Sequence, residues 1–240
     1  MKYNKTIDLY GDGIGKVEYI QHMGEDLTIV NSARASFGAW KDELDDKDEK
    51  LINYLVKHRH TSTFEHNVIT LRFKVPLYIR SQHHRHRTWS YNEISRRYTD
   101  VDMEFYEPKS FRTQHKSNRQ ASNAEELIDP KVDFLWDESM TGYTAREAMM
   151  ELHRGSLYLF NSMIEAGVCR EQARGVLPQN LYTTYWGTVN LNNLLKFIDL
   201  RLHDGAQLEI QKVAEACLEI AEDLFPRAID YYRKNKKNKG

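Results

Sequence analysis

Residues 68–97 read VITLRFKVPLYIRSQHHRHRTWSYNEISRR, and the change of rhythm inside this stretch decides the fold class. Ile69, Leu71, Phe73 and Val75 alternate with Thr70, Arg72 and Lys74. A period of two puts the apolar set on one face, which predicts a half-buried strand. Pro76 has a preset φ and lacks the N–H that a first helical turn leaves unpaired, so a helix is predicted from Leu77 to about Arg87. Gln82, Arg85 and His86 share one face of it by three- and four-residue spacing. The following TWSYNEIS, residues 88–95, reads as a loop suited to wrapping a ligand.

Both rhythms recur on either side. Residues 50–58 place Leu51, Ile52, Tyr54 and Leu55 on one helical face. Residues 145–166 are helical and stopped by Gly167, and 169–177 form a short helix ended by Pro178. Residues 181–189 are strand-like, 191–202 return to helical spacing, and 206–224 read as a long amphipathic helix. Residues 109–144 are polar and irregular, the place for a flexible insertion or lid. No repeat and no Pro/Gly/Ser linker interrupts the chain, which predicts one α+β domain over residues 1–240 with a basic, solvated tail at 233–240.

Hydrophobic residues make up 40% and charged residues 29% of the chain, a balance that excludes a disordered polyelectrolyte. No run approaches the roughly 18 apolar residues of a membrane helix, and the N-terminus has no apolar signal core, so a cytoplasmic location is expected. The net charge is −1, so an anion site must arise from local clustering. GDGIGK at 11–16 is not a phosphate loop: the required glycine is replaced by Tyr10, and no Ser or Thr follows Lys16. It reads as a turn between two strands. Cys169 and Cys217 have no metal or redox spacing and are expected as buried thiols.

The chemistry concentrates between Arg80 and Tyr98. Arg80, Arg85, Arg87, Arg96 and Arg97 stand there with a single acid, Glu93, and with His83, His84 and His86 among them. Such charge repels itself unless it serves an anion, and the guanidinium fork matches phosphate. Metal binding by these histidines, with His58, His60 and His66 nearby, is disfavoured because the arginines would repel a dication. No metal site is expected. A solvated basic face would explain the arginines but not the interleaved Trp89, Tyr91 and Asn92.

RHRTWSYNEIS, residues 85–95, followed by Arg97, resembles the signature of the flavin-dependent thymidylate synthases, the ThyX family. The resemblance extends through SARASF (32–37), KHRHTSTFEH (57–66), CREQARGVLPQNLYT (169–183), TVN (188–190) and DLRLHDGAQLEIQ (199–211). It implies an α+β fold with a central sheet packed by long helices. The implied reaction is conversion of dUMP to dTMP, with a methylene group from methylenetetrahydrofolate and reducing equivalents from NADPH passed through FAD. Carried over by motif position, Gln82, Arg85, Glu93, Ser95, Arg96, Arg97, Arg174 and Arg201 are expected at dUMP, Arg201 also activating the pyrimidine by favouring its ionised form. Ser36, His60, Ser62, Arg85, His86, Arg87, Glu93 and Asn190 are expected at FAD. The family further implies a homotetramer with shared active sites.

Three positions depart from the family pattern: Asn192 where some relatives carry arginine, Lys196 at a position often asparagine, and Gly205 where histidine is common. His203 is the candidate replacement for that imidazole. Reductive methylation needs a hydride that no side chain supplies, which agrees with a flavin. The cysteine-dependent route to thymidylate is disfavoured, since neither cysteine has the setting of an activated nucleophile. The rival reading is a non-catalytic nucleotide- or nucleic-acid-binding protein that uses the basic segment on phosphates and Trp89 and Tyr91 for stacking.

Overall fold

A computed structural model describes residues 3–133 and 142–237. The turn at Gly11–Lys16 joins β1 (Thr6–Asp8) to β2 (Lys16–Met23) as an antiparallel hairpin. Asp8 and Asp12 accept the backbone N–H groups of Tyr10, Gly11, Gly13, Ile14 and Gly15 there. Carboxylates fill the role that a phosphate would take in a phosphate loop, so the turn is closed to anions.

Next come α1 (Asp26–Arg34), a short 3-10 turn (Ala35–Phe37) and α2 (Asp46–Lys57). The Asp45 side chain caps α2 by accepting from Lys47 and Asp48 backbone N–H, worth about 1 kcal/mol. A second 3-10 turn (Thr61–Phe64) leads to β3 (Val68–Pro76), α3 (Leu77–His83) and β4 (Ser90–Glu93). Beyond these lie β5 (Phe111–Gln114), β6 (Ser122–Ile128), β7 (Lys131–Val132), β8 (Tyr143–Thr144), α4 (Ala145–Glu165) and α5 (Arg170–Ala173). The chain ends with β9 (Tyr182–Asn190), α6 (Leu191–Arg201), α7 (Leu208–Leu224) and α8 (Pro226–Lys237).

The main sheet runs β1-β2-β3-β9-β4, antiparallel throughout. Ile69, Leu71, Phe73 and Val75 are fully buried, as their alternation requires, against α1, α2, α6, α7 and α8. Across β3 and β9, Phe73 faces Tyr185 and Leu71 faces Gly187. A Cβ on Gly187 would come within 2.9 Å of Phe73 and 3.1 Å of Trp89, so the missing side chain is the space those rings use.

Six expectations need correction. The helix after Pro76 ends at His83 rather than near Arg87, because His83 is drawn into the core and Trp89 folds back to 4.5 Å from its ring. The loop expected at residues 88–95 holds the edge strand β4, paired with β9 through Ser90, Tyr91, Asn92 and Glu93. The region 109–144 contains the β5–β6 hairpin and the β7–β8 pair; its polarity reflects a mostly exposed small sheet. Residues 134–141 of that region lie outside the described residues.

The basic tail is helical as far as Lys237, tied down by Tyr232 hydroxyl donating to Asp199 (2.7 Å), Lys236 pairing with Asp199, and Asn235 bonding Asn53. Its last residues, 238–240, lie outside the described residues. Finally, Tyr54 is half-exposed and stacks on His58, while Cys169 is exposed and only Cys217 is buried.

Candidate active site

The C-terminus of α3, the turn that follows it and the end of α6 converge on Arg201. Its Nε donates to His86 Nε2 at 3.0 Å and its Nη2 to the Gln82 carbonyl at 3.1 Å. Burial, with Arg201 beside it, lowers the His86 pKa to about 4, so at neutral pH its Nε2 is a lone-pair acceptor. The turn is set by His83, fully buried among Phe73, Trp89, Tyr91 and Phe197, with Nδ1 2.8 Å from the Tyr185 hydroxyl. Burial drives that imidazole well below its usual pKa, which makes His83 a structural anchor. Arg85 and Arg87, on either side of His86, are exposed, and neither guanidinium has a protein partner among the described residues.

A cavity of about 560 Å³ opens at the end of β4, lined by Arg80, Glu93, Ser95, Arg96, Glu171, Arg174 and Thr183 among others. Glu93 accepts from Thr183 Oγ1 at 2.6 Å and lies 3.2 Å from Arg80 Nε. Arg96 donates to the carbonyls of Val101, Asp102 and Tyr182, while its buried Nε–H has no acceptor among the described residues. Arg174 is exposed at the rim with no ion pair among the described residues, whereas Arg97 lies 3.3 Å from Glu171. Ser95 Oγ accepts from Arg97 N–H at 3.3 Å. Of the eight expected dUMP residues, Glu93, Ser95, Arg96 and Arg174 therefore share one cavity, and Gln82 and Arg201 share another centre.

Of the expected flavin residues, Arg85, His86 and Arg87 lie at the Arg201 centre and Glu93 in the cavity beside β4, whereas Asn190, Ser62 and His60 lie toward the opposite end of α6. Asn190 caps that helix, its Oδ1 accepting from Asn193 N–H at 2.9 Å, which leaves its amide N–H₂ as a donor. The turn carrying Ser62 packs on the start of α6, and His60 lies at a ring distance of 5.5 Å from Tyr54. Beside them a cavity of about 400 Å³ is lined by Arg59, Thr61, Asn192, Lys196 and Lys236 among others. Of the three departures, Asn192 donates to Glu65 and Lys196 to Asn193. Gly205 N–H donates to His203 Nδ1 at 3.0 Å, so that imidazole is engaged locally. Ser36 sits exposed in the 3-10 turn beside Phe37, which is 87% exposed.

The family described as thymidylate synthase complementing protein matches residues 18–227. The chain is 40% identical to the flavin-dependent thymidylate synthase of Thermus thermophilus over 214 residues, 89% of this chain and 74% of that protein. It is 39% identical to that of Thermotoga neapolitana, covering 92% of this chain and 91% of the relative. The chain belongs to the flavin-dependent thymidylate synthase family. The fold agrees: the crystal structure of a UMP/dUMP methylase, PolB from Streptomyces cacaoi, bound with 5-Br dUMP, matches at a TM-score of 0.73 and 29% identity, covering 95% of this chain and 97% of that one.

Within this member of the flavin-dependent thymidylate synthases, three residues not among the expected site residues adjoin the Arg201 centre, Gln207 and Glu209 lying inside the quoted 199–211 motif. Arg112 of β5 reaches Glu209 with two bonds of 2.8 and 2.9 Å; Gln207 Nε2 donates to Glu209 at 2.9 Å, and Gln207 Oε1 accepts from Gln82 Nε2 at 2.5 Å. One signal was available in the sequence. Glu209 falls on the apolar face of α7, in step with Val213 and Cys217, and a carboxylate on a core face demands a buried partner.

Proposed function

We propose that this chain binds dUMP and FAD and forms dTMP by reductive methylation, taking the methylene group from methylenetetrahydrofolate and reducing equivalents from NADPH. The observation that carries this is Arg201, held by a neutral imidazole and a carbonyl rather than by an acid, beside Arg85 and Arg87, which are unpaired among the described residues. Its full charge is left for a ligand, as a preorganised anion site requires. The residues fit both groups: among the described residues, unpaired guanidiniums and the buried Arg96 Nε–H supply donors, and Asn190 has a free amide N–H₂.

FAD would supply the hydride that no side chain can. Ser36, His60, Ser62, Arg85, His86, Arg87, Glu93 and Asn190 would hold it. Gln82, Arg85, Glu93, Ser95, Arg96, Arg97, Arg174 and Arg201 would hold dUMP, the arginines meeting phosphate with paired hydrogen bonds. Arg201 would stabilise the ionised pyrimidine through its cationic N–H groups. His86 keeps that guanidinium aimed without cancelling its charge.

A homotetramer with shared sites belongs to this reading. Its support is the division of the dUMP residues between two centres of one chain, and the exposure of Leu152, Tyr158 and Leu159 on α4. The test is direct. Purified protein loaded with FAD should keep its flavin absorbance through gel filtration, and form dTMP only when dUMP, methylenetetrahydrofolate and NADPH are all present. Protein that takes up no FAD and forms no dTMP refutes the proposal.

A further inference from the structure

We propose that Glu209 and Gln207 are positioning residues that hold the Gln82 amide with its carbonyl oxygen toward the ligand, where it accepts the N–H of a cyclic imide. The proposal rests on the reading above and adds how one ring edge is recognised.

Glu209 is 5% exposed, and its oxygens receive Arg112 Nη1 at 2.8 Å, Arg112 Nη2 at 2.9 Å and Gln207 Nε2 at 2.9 Å, with the Tyr106 hydroxyl at 3.5 Å. Burial, the largest single influence, would raise this carboxyl, but the hydrogen bonds and charge of Arg112 together with the Gln207 bond outweigh it, so its pKa is lowered and it stays ionised. An ionised carboxylate accepts and cannot donate. The Gln207 amide must therefore turn its N–H₂ to Glu209, because the reverse rotamer would set a carbonyl oxygen against a negative charge. Gln207 Oε1 is thereby aimed at Gln82 and accepts from its Nε2 at 2.5 Å. By the same step Gln82 Oε1 is the end left over, and no donor among the described residues bonds it.

Gln207 is spent on this relay. It is the N-cap residue of α7, yet its side chain makes no capping bond. Arg201 donates to the backbone carbonyl of the same Gln82. An acceptor beside a cationic donor matches the N–H and adjoining C=O of a cyclic imide. Two bound rings offer that edge, the uracil of dUMP and the isoalloxazine of FAD, so the shared chemistry is the imide and the experiment separates the sources.

Titration compares dUMP with N3-methyl-dUMP on the FAD-loaded full-length protein, and FAD with N3-methyl-FAD on the stripped protein. Wild type should prefer the unmethylated form of one ring by at least about tenfold. Gln207→Leu and Glu209→Gln, each verified as folded by circular dichroism and thermal melting, should narrow that preference about 2- to 13-fold, the range for one uncharged hydrogen bond. The exchanged pair Gln207→Glu with Glu209→Gln keeps an acceptor-only group facing Gln82, so it should restore the preference. A merely structural role predicts no such rescue.

Loss of preference in the dUMP arm assigns the imide to uracil, and loss in the FAD arm assigns it to the flavin. Equal binding of methylated and unmethylated forms of both rings by wild type, or an undiminished preference in Gln207→Leu, overturns the proposal. A wild type that binds neither dUMP nor FAD overturns instead the functional reading beneath it.

Discussion

Arg201 Nε donates to His86 Nε2 across 3.0 Å, a bond available only while the imidazole is neutral. In the folded protein the His86 pKa falls to about 4, against about 6.5 in an unfolded chain. The unfolded state therefore holds more protons between these values, and stability contributed by neutral His86 is full above about pH 6.5 and lost as pH falls toward 4. His86→Gln keeps an acceptor for Arg201 but cannot titrate. Chemical denaturation from pH 7 to 4 should show a shallower loss for the variant, the remainder coming from His83 and His84, both lowered by burial, and from ion-paired carboxylates such as Asp48 and Glu209. Equal slopes in the two proteins would refute the assignment.

Arg201→Lys should lower both dUMP affinity and the rate constant at saturating dUMP. Losing a charge-assisted contact costs on the order of 1.5–3 kcal/mol, or roughly 10- to 150-fold. Lysine cannot reproduce two N–H groups directed at His86 and Gln82 while leaving others for the ring. If steady-state kinetics show an unchanged saturated rate, Arg201 is a binding residue only.

Ser95→Ala should weaken dUMP binding while leaving measurable turnover, since Ser95 lines the 560 Å³ cavity and, among the described residues, has no histidine as a hydrogen-bond partner. Calorimetric titration with dUMP, beside an activity assay, tests this. A trapped serine–nucleotide adduct, or abolished turnover with intact binding, contradicts it.

Co-expression of Arg174→Ala with Arg201→Ala should return activity that neither variant has alone. Arg174 and Arg201 belong to separate centres of one chain, so mixed assemblies contain sites with neither lesion if each site draws them from different copies. A monomeric mass with full wild-type activity would end the shared-site reading.

Arg112→Ala should cost about 3–5 kcal/mol in chemical denaturation, because it strands the buried Glu209 carboxylate. Adding Glu209→Leu should recover most of that loss, as replacing both partners of a buried pair with apolar groups is often neutral. A second substitution that deepens the loss would show that the pair itself stabilises the fold.

The sequence by itself determined the strand at Ile69–Val75, the start of the helix at Pro76, the four longer C-terminal elements and the family, because period, breakers and the RHRTWSYNEIS pattern are local properties of the chain. Tertiary structure decided where the first helix stops. His83 ends it by burying among rings contributed by β3, β4 and α6, contacts that no local window contains. β4 formed for the same reason, since Tyr91 and Glu93 find their partners on β9, about ninety residues away. The basic tail became helix through Asp199 and Asn53. The site divides likewise: its arginines were legible as unbalanced charge, whereas the run from Arg112 through Glu209 and Gln207 to Gln82 spans three distant elements. Hydrogen-bond direction within it follows from a buried charge whose partner only the folded chain supplies.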